Sequence, residues 1–178
     1  MLYLLKTKPS LIEIREKILN SDIVYVSGGN TLRMLKRWKK LGVDKIIEEA
    51  YKKGIILSGL SAGAICWFKY DNSDSTPVGP FNLIRIKGLG FLPFTGCPHY
   101  DVEEERRPSL TNMVSKNGGT AIALTDCAAL EVIDGKWRII TSSKTAHGYR
   151  LYRKNGKVIE EEFPQNKRYR PLEELKRK

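Results

Sequence analysis

Two kinds of apolar pattern alternate along the first third of the chain. Residues 23–26 (Ile-Val-Tyr-Val) and 55–58 (Ile-Ile-Leu-Ser) are continuous, β-branched runs, which predicts strands covered on both sides, and residues 2–5 form a shorter run of the same kind. Between them, apolar residues recur every three or four positions. Pro9-Ser10 opens a helix whose face is Leu11, Ile14 and Ile18, with Ser10 and Glu13 spaced as a capping box. Leu32, Leu35, Trp38 and Leu41 mark a helix over residues 31–41 that Gly42 closes; Val43, Ile46, Ile47 and Ala50 mark another over residues 44–53, ending at Gly54. A further helix is expected over residues 62–68. Strands alternating with helices predict a parallel sheet with helices on its faces.

The second half reads differently. Residues 69–80 are polar and rich in turn formers, predicting a surface loop, followed by a weak strand over residues 83–86. A helix over residues 110–117 stops at Gly118-Gly119, and residues 120–124 form one more buried strand. Asp134-Gly135 and Asn155-Gly156 each lie between apolar runs, the signature of tight hairpins. The expected architecture is therefore one α/β domain over residues 1–178, doubly wound around a mostly parallel sheet, with added hairpins and a charged tail over residues 164–178.

Composition narrows the class. With 178 residues, 41% hydrophobic and 29% charged, the chain can bury a core and is neither disordered nor membrane-like. Its net charge of +11 would suit nucleic acid, anionic lipid or an acidic small molecule, but the charges are spread along the chain, which favours a solvated basic surface. Three cysteines without repeated spacing give no disulfide framework, and the amino-terminal apolar run is too short for a signal peptide, so a cytoplasmic location is expected.

The chemistry concentrates at Gly59-Leu60-Ser61-Ala62-Gly63, where a strand hands over to a helix. A nucleophile on such a turn needs small neighbours because the backbone passes close by, and the first helix amides point at whatever binds there. A serine hydroxyl needs a base, and the chain has two histidines. His99 lies in a glycine- and proline-bounded turn and is preferred over His147, at the start of a hairpin strand. Ser27-Gly28-Gly29-Asn30-Thr31 is a second strand-to-helix turn, so Gly28 or Gly29 could donate to an oxyanion opposite Ala62, while Asn30 or Thr31 caps the helix. Cys66, Cys97 and Cys127 fall close to these segments and read as small buried hydrophobes; Cys97 with His99 is too little for a metal site.

Val26-Ser27-Gly28-Gly29-Asn30-Thr31, Gly59-Leu60-Ser61-Ala62-Gly63-Ala64, Gly88-Leu89-Gly90-Phe91-Leu92-Pro93 and Cys97-Pro98-His99-Tyr100 occur in the order seen in peptidase E, and the chain resembles that aspartyl dipeptidase family, related to cyanophycinase, over residues 2–163. The resemblance implies a fold similar to class I glutamine amidotransferases and a serine exopeptidase acting on dipeptides with amino-terminal aspartate. It implies Ser61 as nucleophile and His99 as base. The acid that orients the base matches either Asp74 or Asp126; Asp126 is preferred because it follows a buried strand. Arg106, with Arg107 as its rival, and Asn30 match the substrate-binding positions, a guanidinium fork suiting a carboxylate.

The family normally has a further strand and helix ahead of the segment matched by residues 2–5, so sheet completion by rearrangement or by a second subunit, as in a homodimer, is expected, or else weakened activity. No metal or organic cofactor and no nucleic-acid or membrane partner is expected, only a small acidic dipeptide. The alternatives are a cyanophycinase-like enzyme, a small esterase that would use His147, and a catalytically weakened basic binding protein.

Overall fold

The computed structural model describes residues 1–4, 9–76, 82–165 and 168–176. Residues 2–4 are not in a strand, and the remainder of that expected element lies outside the described residues. Helix α1 (Leu11–Leu19) starts as expected, with Ser10 Oγ accepting from the Glu13 N–H at 3.1 Å.

Strands β1 (Ile23–Val26) and β2 (Ile56–Gly59) pair in parallel, Ile23 opposite Ile56 and Val26 opposite Gly59. Helices α2 (Thr31–Leu41) and α3 (Val43–Lys52) join α1 on one face of this pair, where Val24, Val26, Ile55 and Leu57 pack on Ile14, Ile18, Trp38, Ile46 and Ile47. The other face is not covered: Ile23, Tyr25 and Ile56 are 56%, 60% and 58% exposed. The expectation of burial on both sides is corrected because among the described residues these strands form a two-stranded sheet of their own, with helices on one side only.

The helix expected over residues 62–68 is shorter. Helix α4 spans Ala62–Ile65, and from Phe68 the chain enters strand β3 (Phe68–Ser73), in place of the surface loop expected from residue 69. Residues 77–80 of that loop lie outside the described residues. Polar side chains hid this strand: Asp71, Asn72 and Ser73 are fully buried despite their chemistry. Strand β4 (Ile84–Lys87) falls near its expected place, and β5 (Leu92–Cys97), masked in the sequence by Pro93 and Gly96, was not expected.

These strands belong to a six-stranded sheet with β6 (Thr120–Leu124), β9 (Gly148–Lys154) and β10 (Lys157–Glu162), in the order β10-β9-β6-β5-β3-β4. Its centre, β3-β5-β6, is parallel and its flanks are antiparallel. Successive side chains on a strand face opposite sides, which gives this sheet two cores. On one side Ala121, Ala123 and Leu151 meet Leu110 and Val114 of helix α5 (Arg106–Asn117). On the other, Phe94, Ile122 and Phe163 meet Trp137 and Ile139. Those two residues belong to a three-stranded antiparallel sheet of β7 (Ala128–Ile133), β8 (Lys136–Thr141) and the short β11 (Arg170–Pro171), followed by a 3-10 turn at Leu172–Leu175.

The fold is thus mixed α/β, but the doubly wound arrangement is corrected: a helix covers one face of the larger sheet and a hairpin sheet covers the other. The alternating apolar residues of β8 can be buried only against another sheet or helix, and the larger sheet offers the face. Both hairpins form where expected, with Asp134, Gly135, Asn155 and Gly156 all at positive φ. No helix among the described residues is long and apolar enough to cross a membrane.

Candidate active site

The turn between β2 and α4 has the geometry its glycines foretell. Ser61 sits at φ 53°, ψ −118°, a region that a residue with a side chain occupies only under constraint. The constraint is backbone packing: a Cβ on Gly59 would lie 2.2 Å from the Gly63 carbonyl oxygen, and one on Gly63 would lie 2.1 Å from that of Val26. The end of β1, the end of β2 and the start of α4 therefore meet backbone to backbone, and the serine is pushed out at their junction. Its neighbour across the junction is the glycine turn after β1, for a Cβ on Gly28 would fall 3.3 Å from Ser61 Cβ and 3.8 Å from Oγ. Ala62 and its amide follow directly at the head of α4.

Gly29 follows at φ 142°, and Asn30 caps α2, its Oδ1 accepting from the Arg33 N–H at 2.9 Å. Thr31 is buried and ties the turn to the larger sheet. Ser73 Oγ, at the end of β3, lies 3.2 Å from Thr31 Oγ1 and 3.0 Å from Ser75 Oγ. This chain of hydroxyls joins the carboxyl ends of β1 and β3. Because β5 and β6 run parallel beside β3, the segments after these three strands share one rim.

His99 follows β5, at φ 53°, and its Nδ1 lies 2.7 Å from Oδ1 of Asp126, which follows β6. Two further bonds lace the same loops: the Tyr100 N–H donates to the Leu124 carbonyl at 3.1 Å, and the Asp126 N–H donates to Asp101 Oδ1 at 3.0 Å. Asp74, exposed beyond β3, is not bonded to His99. Sequence reasoning passed over Asp101; its only signal was a carboxylate two residues past the histidine.

His147 has a separate partner, Glu162 Oε1, 2.6 Å from its Nδ1. Its main chain is clasped to Thr125, donating to Thr125 Oγ1 at 2.7 Å and accepting from the Thr125 N–H at 3.0 Å. Arg106 is 2% exposed, with its Nε on Glu103 Oε2 at 2.7 Å and its Nη1 on the Asn72 carbonyl at 2.6 Å. Two of its three nitrogens are thus bonded inside the protein. Arg107 is half exposed, pairs with Glu160 and lies over the Tyr100 ring.

Cys66 and Cys97 are buried, and burial raises both thiols, that of Cys97 to about 12, which makes them inert. Cys127 is exposed, correcting its reading as a buried hydrophobe, because it occupies the turn that leads from the rim into β7. Asp71 is fully buried with no partner for either carboxylate oxygen, and burial lifts it from 3.8 to about 9. It is a neutral acid at pH 7. Among the described residues no group of three or more His, Cys, Asp or Glu is placed to hold a metal ion.

The chain as a whole is similar to known proteins. A sequence profile of peptidase family S51 matches residues 2–140. The Bacillus subtilis protein YgaJ, described as an uncharacterised peptidase, is 39% identical over 159 residues, covering 88% of this chain and 67% of that protein. Peptidase E of Salmonella arizonae is 33% identical over 87 residues, 48% of this chain and 37% of that protein. The crystal structure of a candidate peptidase E from Listeria monocytogenes superposes with a TM-score of 0.61 at 25% identity, over 76% of this chain and 67% of that one. The chain thus spans about two thirds or less of these relatives' length.

Proposed function

The chain belongs to peptidase family S51, and from that premise we propose that it hydrolyses short peptides by acyl transfer through Ser61, His99 and Asp126. The observation that carries this reading is the bonded His99–Asp126 pair, with Ser61 held on a strained turn of its own. Asp126 holds the Nδ1–H of His99, which leaves Nε2 to take the proton of Ser61 as its Oγ attacks the peptide carbonyl. The amides of Ala62 and Gly29 receive the oxyanion. His99 then returns the proton to the leaving amine as the C–N bond breaks, and water releases the acyl group by the same route in reverse.

Selectivity for amino-terminal aspartate follows from the resemblance to peptidase E. The Gly28 turn lies against Ser61, Asn30 caps the helix that follows it, and Arg106 is bonded to Glu103 and to the Asn72 carbonyl.

The test is turnover of Xaa-Leu dipeptides by the purified chain. Asp-Leu is cleaved, and Ser61→Ala and His99→Ala each lower kcat/KM by about a thousandfold or more. His147→Gln retains activity, because that ring answers to Glu162. A fluorophosphonate labels Ser61 in the parent and not in Ser61→Ala. Full activity in His99→Ala ends the assignment.

A further inference from the structure

Asp126 is half exposed at the end of a strand, a setting in which a carboxylate ordinarily samples several rotamers. Its main chain is nevertheless held from both sides. Thr125 is pinned to His147 by main-chain and hydroxyl bonds, and the Asp126 N–H is taken by Asp101. Asp101 is carried by the loop that carries His99, and the Glu103 N–H closes that loop on the His99 carbonyl. The two loops therefore grip each other reciprocally. The imidazole of the first meets the side chain of Asp126, and a carboxylate of the first meets its main chain.

The geometry points to Asp101 as the positioning residue of the His99–Asp126 pair: by accepting the Asp126 N–H, it fixes where the Asp126 carboxylate stands against Nδ1. It does not touch substrate and acts only through Asp126. The inference rests on the reading of His99 as base and Asp126 as its orienter.

The test compares Asp101→Ala and Asp101→Asn in the full chain, with kcat and KM on Asp-Leu and with the low-field proton resonance of His99 Nδ1–H. That resonance is assigned by its loss in His99→Gln, and the signal of His147 by its loss in His147→Gln. Asp101→Ala lowers kcat about tenfold at unchanged KM, the scale of one lost charge-assisted hydrogen bond, and broadens the His99 signal into exchange with water. Asp101→Asn, whose amide oxygen accepts the same N–H, recovers kcat to within about threefold of the parent and restores the signal. Parent-like kcat and signal in Asp101→Ala overturn the inference. So does equal damage in the two variants, which would make charge the cause and not position. Should Asp101→Ala fail to fold, Asp101→Ser, too short to reach the amide, takes its place. The resonance needs no turnover: a parent inert on every dipeptide sinks the hydrolytic reading, while the signal still decides whether Asp101 positions the pair.

Discussion

The buried acid on β3 makes a quantitative prediction about stability. Asp71 has no hydrogen-bond partner on either oxygen, lies beside Cys66, and leaves so little room around Gly88 that a Cβ there would come within 3.2 Å of its Oδ2. Burial therefore acts on it without compensation and raises it to about 9, whereas in the unfolded chain it returns to the ordinary 3.8. Below pH 3.8 both states hold the proton and the residue contributes no pH dependence. Between 3.8 and about 9 the unfolded chain gives up the proton while the native chain keeps it, so native stability falls as pH rises. The slope is about 1.4 kcal/mol per pH unit, and by pH 7 the loss reaches up to about 4 kcal/mol. Above pH 9 it levels off. Asp71→Asn has nearly the same shape and cannot ionise, so it removes this loss. Urea unfolding followed by tryptophan fluorescence should find the variant's advantage over the parent larger at pH 8 than at pH 5 by about 4 kcal/mol, about 1.5 kcal/mol of the loss having already accrued by pH 5. Other carboxylates titrate equally in both chains and cancel in the difference. A stability gap that is the same at the two pH values would show that Asp71 ionises in the native state without penalty, and the reasoning from burial would fail.

Three other outcomes follow from the same coordinates. Gly63→Ala drives a methyl into the Val26 carbonyl and costs about 3 kcal/mol or more, read as a large fall in Tm or loss of folded protein; an unchanged Tm would mean the junction is looser than described. Arg106→Ala strands Glu103 and the Asn72 carbonyl and lowers stability by about 3 kcal/mol, whereas a residue that only gripped substrate would raise KM at constant Tm. Asp126→Ala lowers kcat about a thousandfold and Asp74→Ala less than about threefold; the reverse ranking would give the orienting role to Asp74.

The elements legible in the sequence are those whose local pattern and tertiary environment agree. Leu32, Leu35, Trp38 and Leu41 announce α2, and Asp134-Gly135 and Asn155-Gly156 announce the hairpins, because 3.6-residue periodicity and positive φ are local properties of the chain. The tight turn at Ser61 was legible for the same reason: three backbone segments can approach so closely only where Cβ atoms are missing. The hidden strands, β3 and β5, carry Asp71, Asn72, Ser73, Pro93 and Gly96, residues with weak or adverse strand preference. Neighbours on both sides supply their hydrogen bonds and bury them regardless.

The candidate site divides along the same line. Ser61, His99 and the glycine turns stand out because their chemistry and their local backbone are both unusual. The choice between Asp126 and Asp74, the inward use of Arg106 and the grip of Asp101 depend on which strands lie side by side, and residues 27 positions apart carry no mark of that in their spacing. By itself, then, the sequence determined the longer amino-terminal helices, the turns and which side chains are candidates for chemistry, since each is set by interactions within a few residues. Only the tertiary structure decided how the strands divide between sheets and which carboxylate faces the imidazole, since those follow from burial shared between distant segments of the chain.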